Sequence, residues 1–329
     1  MNPRGGREDT WEPAATAAPT GGRTADPRPG RSSRGRLGRR ILGKHPLGWL
    51  FSAPYLIFLV VIFAYPLIFA GYMSFHDYFF AAPGVKVDRP FVGLENYQAL
   101  LTDPAVRRSF VNVGIFLIIN VPLTVIISLV LATLLNRVVR LRTFLRVAFF
   151  VPYVTASVAV VGVWLFLFSS GGLVNTLLGP LAPDPTWLIS PTLAMPSIAF
   201  FVTWKGMGLY ILLYLAALQN VGQELYESAA VDGAGRLQSF WNVTVPGVRP
   251  ATVLVLLVST VTGANLFTEP YLLTAGGGPN GASSSPVLIM YQQGIEQGKP
   301  GYAAAIGIVL VIGTLIIAAL QNRFAGGRD

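Results

Sequence analysis

Charged side chains are scarce in the long apolar stretches of this 329-residue chain, and Lys205 lies at the centre of one of them. It is 13 residues from each end of the stretch between Thr192 and Leu218, or about 20 Å from either end of a helix. A charge at that depth in a bilayer costs about 2.5 to 3.5 kcal/mol. We therefore expect Lys205 to face a cavity or a partner helix. A structural lysine, bonded to backbone carbonyls or reaching for the interface, fits the position equally well.

Two further polar residues, Asn265 and Glu269, lie in the next apolar stretch, from Ala251 to Leu273. They are one helical turn apart, so on a continuous helix they share a face. Together with Lys205 they are the candidates for a polar pathway through the chain. For Glu269, a place at the outer membrane interface is the alternative.

The sequence lacks the residues that other kinds of chemistry require. It has no cysteine, which excludes disulfides, iron–sulfur clusters and thiol catalysis. Its two histidines, His45 and His76, are too far apart in sequence to suggest a metal site. Residues Gly38 to Lys44 have the spacing of a phosphate-binding loop, but His45 replaces the required Ser or Thr and no strand precedes them. We predict that the chain is not an enzyme and binds no metal, cofactor or nucleic acid itself.

The composition is that of an integral membrane protein. Hydrophobic residues make up 53% of the chain and charged residues 12%, with a mean hydropathy of +0.57, which is well outside the range of soluble domains. Six stretches reach the roughly 20 apolar residues that a spanning helix needs. They run from Leu47 to Phe75, Phe110 to Leu135, Phe144 to Phe168, Thr192 to Leu218, Ala251 to Leu273 and Tyr302 to Leu320. The predicted fold is all-α, with six membrane spans in residues 47–324.

Positive charges predict the orientation of these spans, because loops rich in Lys and Arg stay in the cytoplasm. Residues 1–46 hold ten of the 24 basic residues and little that could be buried, so they are predicted to form a disordered tail. Contact with anionic lipid is an alternative role for this tail. The loop after the second span is basic, whereas the loop after the third has no Lys or Arg. The basic loop contains Arg137, Arg140, Arg142 and Arg146. Both termini, including the short segment 325–329, and the loop at 220–250 are therefore predicted to be cytoplasmic.

The loop at 220–250 is a polar interruption between two apolar stretches. Gln223 to Ala230 are mostly good helix formers, and acidic residues near the start of the segment favour a helix there. Gly233 and Gly235 are predicted to end this helix. Small residues bordered by acidic ones form a surface that another protein can approach closely. The predicted docking residues are Glu224, Glu227, Ser228, Ala229, Ala230, Asp232 and Gly233.

The same loop resembles the EAA loop of bacterial ABC importer permeases. That pattern is E-A-A, three residues, G, nine residues and I-x-L-P. Here Glu227, Ala229 and Gly233 have the same spacing, and Val243 to Pro246 follow after nine residues. Ser228 replaces the first Ala, and valines replace Ile and Leu. The Tyr226-Glu227 and Asp232-Gly233-Ala234 pairings are most similar to the carbohydrate-uptake branch, typified by maltose permeases.

Three external segments resemble the same family, and similarity extends from about Pro54 to Phe324. Residues Phe91 to Pro104 have apolar residues at helical spacing, which predicts a short amphipathic helix on the outer surface. Its role is either to cover the bundle or to contact a substrate-binding protein. Thr274 to Pro279 resembles the family's T-x-G-G-P turn with one additional Gly, and Gly301 to Ala305 resembles its entry to the last span.

The resemblance implies a type I ABC importer permease with a cytoplasmic coupling helix, located in a bacterial cell membrane and in contact with its lipid. It implies a second permease subunit, forming a heterodimer, together with ATP-binding subunits that use ATP and Mg on the cytoplasmic side. An extracytoplasmic protein would deliver a sugar or a sugar-like solute, which then moves by alternating access. A secondary transporter or channel, and a membrane anchor or sensor without a transport role, are the alternatives with similar hydropathy.

Overall fold

The computed structural model describes residues 46–81, 84–85, 87–137 and 142–326. The predicted tail up to His45 and the predicted cytoplasmic Arg140 lie outside the described residues. Contacts divide the chain into two units. The first ends at Val60 and includes helix α1 (Pro46–Leu59), and the second begins at Val61 and contains the sites described below.

The second unit is built of helices, with no strand among its described residues. A single bridge pairs His76 with Phe91. The α-helices before the loop at 220–250 are α2 (Tyr65–Ser74), α3 (Glu95–Thr102), α4 (Pro104–Arg137), α5 (Arg142–Val154), α6 (Ser157–Leu167), α7 (Leu173–Leu178) and α8 (Ala194–Leu218). Those that follow are α9 (Gln223–Val231), α10 (Arg236–Ser239), α11 (Val245–Gly247), α12 (Arg249–Ala264), α13 (Thr268–Leu273), α14 (Pro286–Tyr291) and α15 (Pro300–Gln321).

Within the described residues, four helical segments are long and apolar enough to cross a membrane. They are Phe51–Ser74, Pro104–Asn136, Ala194–Leu218 and Pro300–Phe324. Two bent pairs qualify as well: Thr143–Val154 with Ser157–Leu167, at 98°, and Arg236–Gly247 with Arg249–Ala264, at 69°. Counting each bent pair as one gives up to six spans, which is the predicted number, although the pair counted as the fifth ends at Ala264 and not at Leu273. The protein is therefore an all-α, multi-pass membrane protein.

The prediction of one continuous helix from Ala251 to Leu273 is wrong. Helix α12 ends at Ala264, and α13 begins at Thr268. Pro270 explains the break, because it has no N–H to donate to the Leu266 carbonyl and its ring crowds that carbonyl. The Ser285 hydroxyl donates to the Leu266 oxygen instead. The proposed shared face of Asn265 and Glu269 therefore does not exist.

The predicted amphipathic helix on the outer side corresponds to α3. Leu100 is buried in a cluster with Val106 and Ile306, whereas Leu101 is exposed. The helix is also anchored by polar contacts, since the Tyr97 hydroxyl lies 2.7 Å from the Ser74 hydroxyl. These contacts hold α3 against the ends of two long helices, as expected of a cover over the bundle.

Helices α4 and α8 form the central packing of the membrane domain. In lipid, association depends on close packing and hydrogen bonds between helices, because lipid tails are as apolar as the side chains. Asn120 of α4 donates to the Thr203 hydroxyl of α8 at 2.8 Å, and both are buried. Farther along α8, the fully buried Tyr214 donates to Thr252 of α12 at 3.2 Å. These bonds fix the rotation of α8 relative to its neighbours.

Gly208 allows the backbones of α5 and α8 to approach closely. A Cβ at this position would clash with the Phe149 carbonyl oxygen and lie 2.8 Å from the Cα of Phe150. Backbone atoms cannot move aside as a flexible side chain can. The crossing therefore requires glycine at residue 208.

We predict that Gly208→Ala destabilises the protein because the methyl group overpacks this crossing, at a cost of about 1 to 3 kcal/mol. The measurement is the thermal unfolding midpoint of the purified protein in detergent. Gly313→Ala is the matched control, since a Cβ at Gly313 in α15 meets nothing within 4 Å. Equal midpoints for the two variants would contradict this account of the crossing.

Candidate functional site

A cavity of about 230 Å³ with both polar and apolar lining residues lies among five helices of the membrane domain. Its walls come from α4, α5, α8, α12 and α13. The polar residues that line it are Asn120, Thr124, Tyr153, Lys205, Tyr210, Ser259, Thr262 and Glu269. Two of the three predicted pathway residues, Lys205 and Glu269, are thus brought together. The third, Asn265, is not among the lining residues; it is exposed, and its amide donates to the Val261 carbonyl at 2.8 Å.

The bend in the third span provides a partner for Lys205. Helix α5 ends at Val154, Ala156 adopts an extended conformation with ψ of 128°, and α6 starts at Ser157. The Lys205 ammonium group donates a hydrogen bond to the Ser157 hydroxyl. A lysine in the middle of α8 is therefore bonded to a side chain of a neighbouring span, not to backbone carbonyls of its own helix.

The break in the fifth span places Glu269 in the lining of the same cavity as Lys205. Glu269 lies in the first turn of α13, where the helix dipole favours a negative charge. Among the described lining residues, these two are the ones with an amino and a carboxyl side chain, which carry opposite charges when ionised. Their opposite charges offset each other within the cavity.

Several cavity residues were missed by the sequence analysis, which weighed mainly charged side chains. Asn120 and Thr124 are four residues apart on α4, and Ser259 and Thr262 are three apart on α12. Residues at these spacings lie on one face of a helix. A search of the apolar stretches for uncharged polar pairs at helical spacing could have found them. The cavity as a whole offers hydroxyl and amide groups, which suits reversible binding of a polar solute.

The second candidate site is the loop at 220–250, where α9 ends as predicted. Gly233 has φ of +76°, a conformation that L-residues with a side chain rarely adopt. The Ala234 N–H donates to the Ala229 carbonyl at 2.8 Å, and the Gly233 N–H to the Ala230 carbonyl at 3.1 Å. These two bonds form a Schellman motif. Gly235, the other predicted stop, instead precedes α10.

The predicted docking residues form an open surface on α9 and its C-terminal turn. All of them are exposed except the half-buried Ala229. Val231, one residue beyond Ala230, is 88% exposed, and a Cβ at Gly233 would meet nothing within 4 Å. Apolar surface bordered by carboxylates, outside the membrane spans, is typical of a protein interface.

A hydrogen bond connects the two halves of the predicted EAA pattern. The Tyr226 hydroxyl in α9 lies 3.0 Å from the Thr244 hydroxyl, in the segment just before α11. Thr244 is buried. Helix α9 is thereby tied to the chain that enters α12, so both ends of the loop at 220–250 are attached to helices that line the cavity.

Comparison with known proteins agrees with this arrangement. Residues 124–327 match the model of the family "Binding-protein-dependent transport system inner membrane component". The chain is 32% identical to the arabinooligosaccharides transport system permease protein AraP of Bacillus subtilis, covering 92% of this chain and 96% of AraP. It is also 32% identical to the trehalose/maltose transport system permease protein MalF of Thermococcus litoralis, covering 84% of this chain and 94% of MalF.

A solved structure supports the fold. The bacterial alginate ABC transporter, in complex with a periplasmic protein that holds an alginate pentasaccharide, contains a chain with a TM-score of 0.70 and 22% identity. The match covers 87% of the present chain and 96% of that chain. By the family match and its relatives, the protein belongs to the inner-membrane components of binding-protein-dependent transport systems.

Proposed function

We propose that this chain is the permease subunit of an ATP-driven importer that takes up a sugar or a sugar-like solute. The observation that carries the proposal is the cytoplasmic loop, whose exposed helix α9 ends at Gly233 and is bonded through Tyr226 to the segment before α12. The names of the relatives, which refer to arabinooligosaccharides and to trehalose and maltose, support a sugar as the cargo.

The chain performs the membrane step, and a separate ATPase supplies the energy. The ATPase docks on Glu224, Glu227 and the small residues up to Gly233. Helix α9 is joined directly to α8, which holds Lys205, and through α10 and α11 to α12. Movement of α9 when ATP closes the ATPase pair is therefore transmitted to two walls of the cavity. The cavity then opens alternately to either side, without chemistry on the solute.

The assembly includes three kinds of partner. A second, non-identical permease subunit completes the pathway, because about 230 Å³ is below the roughly 300 to 1,000 Å³ of typical ligand pockets. ATP-binding subunits lie on the cytoplasmic side, which is the side of the Arg-rich loop and of both termini. On the other side, a binding protein delivers the solute near α3 and the Thr274 to Pro279 turn.

We predict that Gly233→Asp abolishes ATPase binding and uptake while the chain still reaches the membrane. The substitution adds bulk and an unpaired charge to the docking surface, and burying such a charge costs several kcal/mol. Affinity falls about tenfold for each 1.4 kcal/mol. The measurements are co-purification of the ATPase in detergent, uptake of labelled sugar and abundance of the chain in the membrane.

Gly298→Asp is the matched control for this substitution. Gly298 has a similar φ of +69° and is exposed, and an added Cβ there would meet nothing within 4 Å, but it lies in an external loop. The control therefore carries the same backbone strain and the same added charge. Normal ATPase binding and transport in Gly233→Asp would mean that α9 is only a connecting helix, and the proposed function would lose its main support.

We also predict that Lys205→Leu inserts normally and impairs uptake by about tenfold or more. Insertion is spared because the substitution removes a charge that is costly in the bilayer. Uptake suffers because the cavity then holds Glu269 without a basic side chain among its described lining residues. Asn265→Leu, outside the cavity lining, is the control and should transport normally. Uptake at the wild-type rate in Lys205→Leu would restrict this lysine to a structural role.

A further inference from the structure

The cavity contains one basic and one acidic side chain among otherwise uncharged lining residues. Lys205 and Glu269 both line it. The remaining polar lining consists of hydroxyl and amide groups. A solute in this space therefore meets a net charge near zero as long as both side chains are ionised.

Among the described residues, Lys205 has one hydrogen-bond partner, and that partner cannot balance its charge. Ser157 accepts the hydrogen bond from the ammonium group through a neutral hydroxyl. Ser157 is also the first residue of α6, and the positive end of a helix dipole disfavours a nearby cation. Glu269 is thus the group that offsets Lys205. Without it, the cavity would present an uncompensated positive charge.

We infer that Lys205 and Glu269 set the charge selectivity of the cavity, so that it accepts uncharged polyhydroxylated solutes and rejects acidic ones. The inference rests on the proposed function, in which the cargo is a sugar. It adds that the sugar is uncharged. An anionic sugar would be attracted to Lys205 and repelled by Glu269 at close range. A neutral sugar can exchange hydrogen bonds with the Asn120, Thr124 and Ser259 side chains without breaking the charge pair.

The test compares matched ligands that differ in charge. Maltose, lactose and cellobiose are each paired with their aldonic acid and with the amine made from them by reductive amination. Equilibrium binding is measured with the full permease and ATPase complex in nanodiscs. No binding protein is added, because it would impose its own selection on the ligands. The readout is the affinity for the acid relative to that for the parent sugar.

We predict that Glu269→Gln raises this acid-to-neutral affinity ratio by at least about tenfold, the factor that 1.4 kcal/mol represents. Lys205→Met should act in the opposite direction and raise the relative affinity for the amine. The double variant Lys205→Met with Glu269→Gln restores charge balance and should return both ratios toward wild type. Glu296→Gln, an exposed residue outside the cavity lining, is the control for loss of one carboxylate and should leave the ratios unchanged.

The outcomes separate this inference from the proposed function. If the wild-type complex binds the neutral sugars but the ratios do not change in Glu269→Gln or in Lys205→Met, charge selection by this pair is overturned and the importer assignment stands. Preference of the wild-type complex for the acids also overturns it. If the complex binds no saccharide of any charge, the proposed sugar cargo fails, and the selectivity fails with it. Either single variant is sufficient for the test if the other does not assemble.

Discussion

A charge in the middle of a membrane has to be balanced by protein, and much of this structure around the cavity follows from that requirement. Lys205 lies at the centre of α8. Ser157, which accepts its hydrogen bond, and Glu269, which lines the same cavity, both come from breaks in neighbouring spans. Ser157 follows the 98° bend in the third span, and Glu269 follows the break in the fifth. Two continuous helices at these places would have presented other side chains to Lys205. The interrupted spans and the half-buried lysine are thus parts of one arrangement.

Short stretches of sequence connect the cavity to the exposed loop at 220–250. Helix α8 leads into α9 after four residues, and α12 is reached through two short helices. The Tyr226 and Thr244 hydroxyls hold the start and the end of this loop together at 3.0 Å. A force applied to α9 therefore acts on two cavity walls at once, and does not have to pass through the outer helices. This is the mechanical property that a coupling element between two subunits requires.

The sequence predicted those features that depend on local chemistry. The spans follow from apolar length, and the end of α9 follows from Gly233, because the left-handed conformation is most accessible to glycine. The break after Ala264 could not be placed in the same way. Pro270 is tolerated within many membrane helices, and here the freed Leu266 carbonyl is satisfied by Ser285, which is 19 residues away in sequence. That partner depends on tertiary structure, so Asn265 and Glu269 were wrongly placed on one face.

Helix ends at membrane depth also explain why the cavity lies where it does. Freed backbone groups cannot face lipid and are tolerated only where protein or a polar cavity surrounds them. Tyr153, next to the end of α5, and Glu269, in the first turn of α13, both line the cavity. The N-terminus of α13 adds a positive dipole end close to the carboxylate. Broken helices that meet at a polar site are a recurring way to build a solute site within a bilayer. In this chain the breaks supply both the space and the charge balance that the cavity needs.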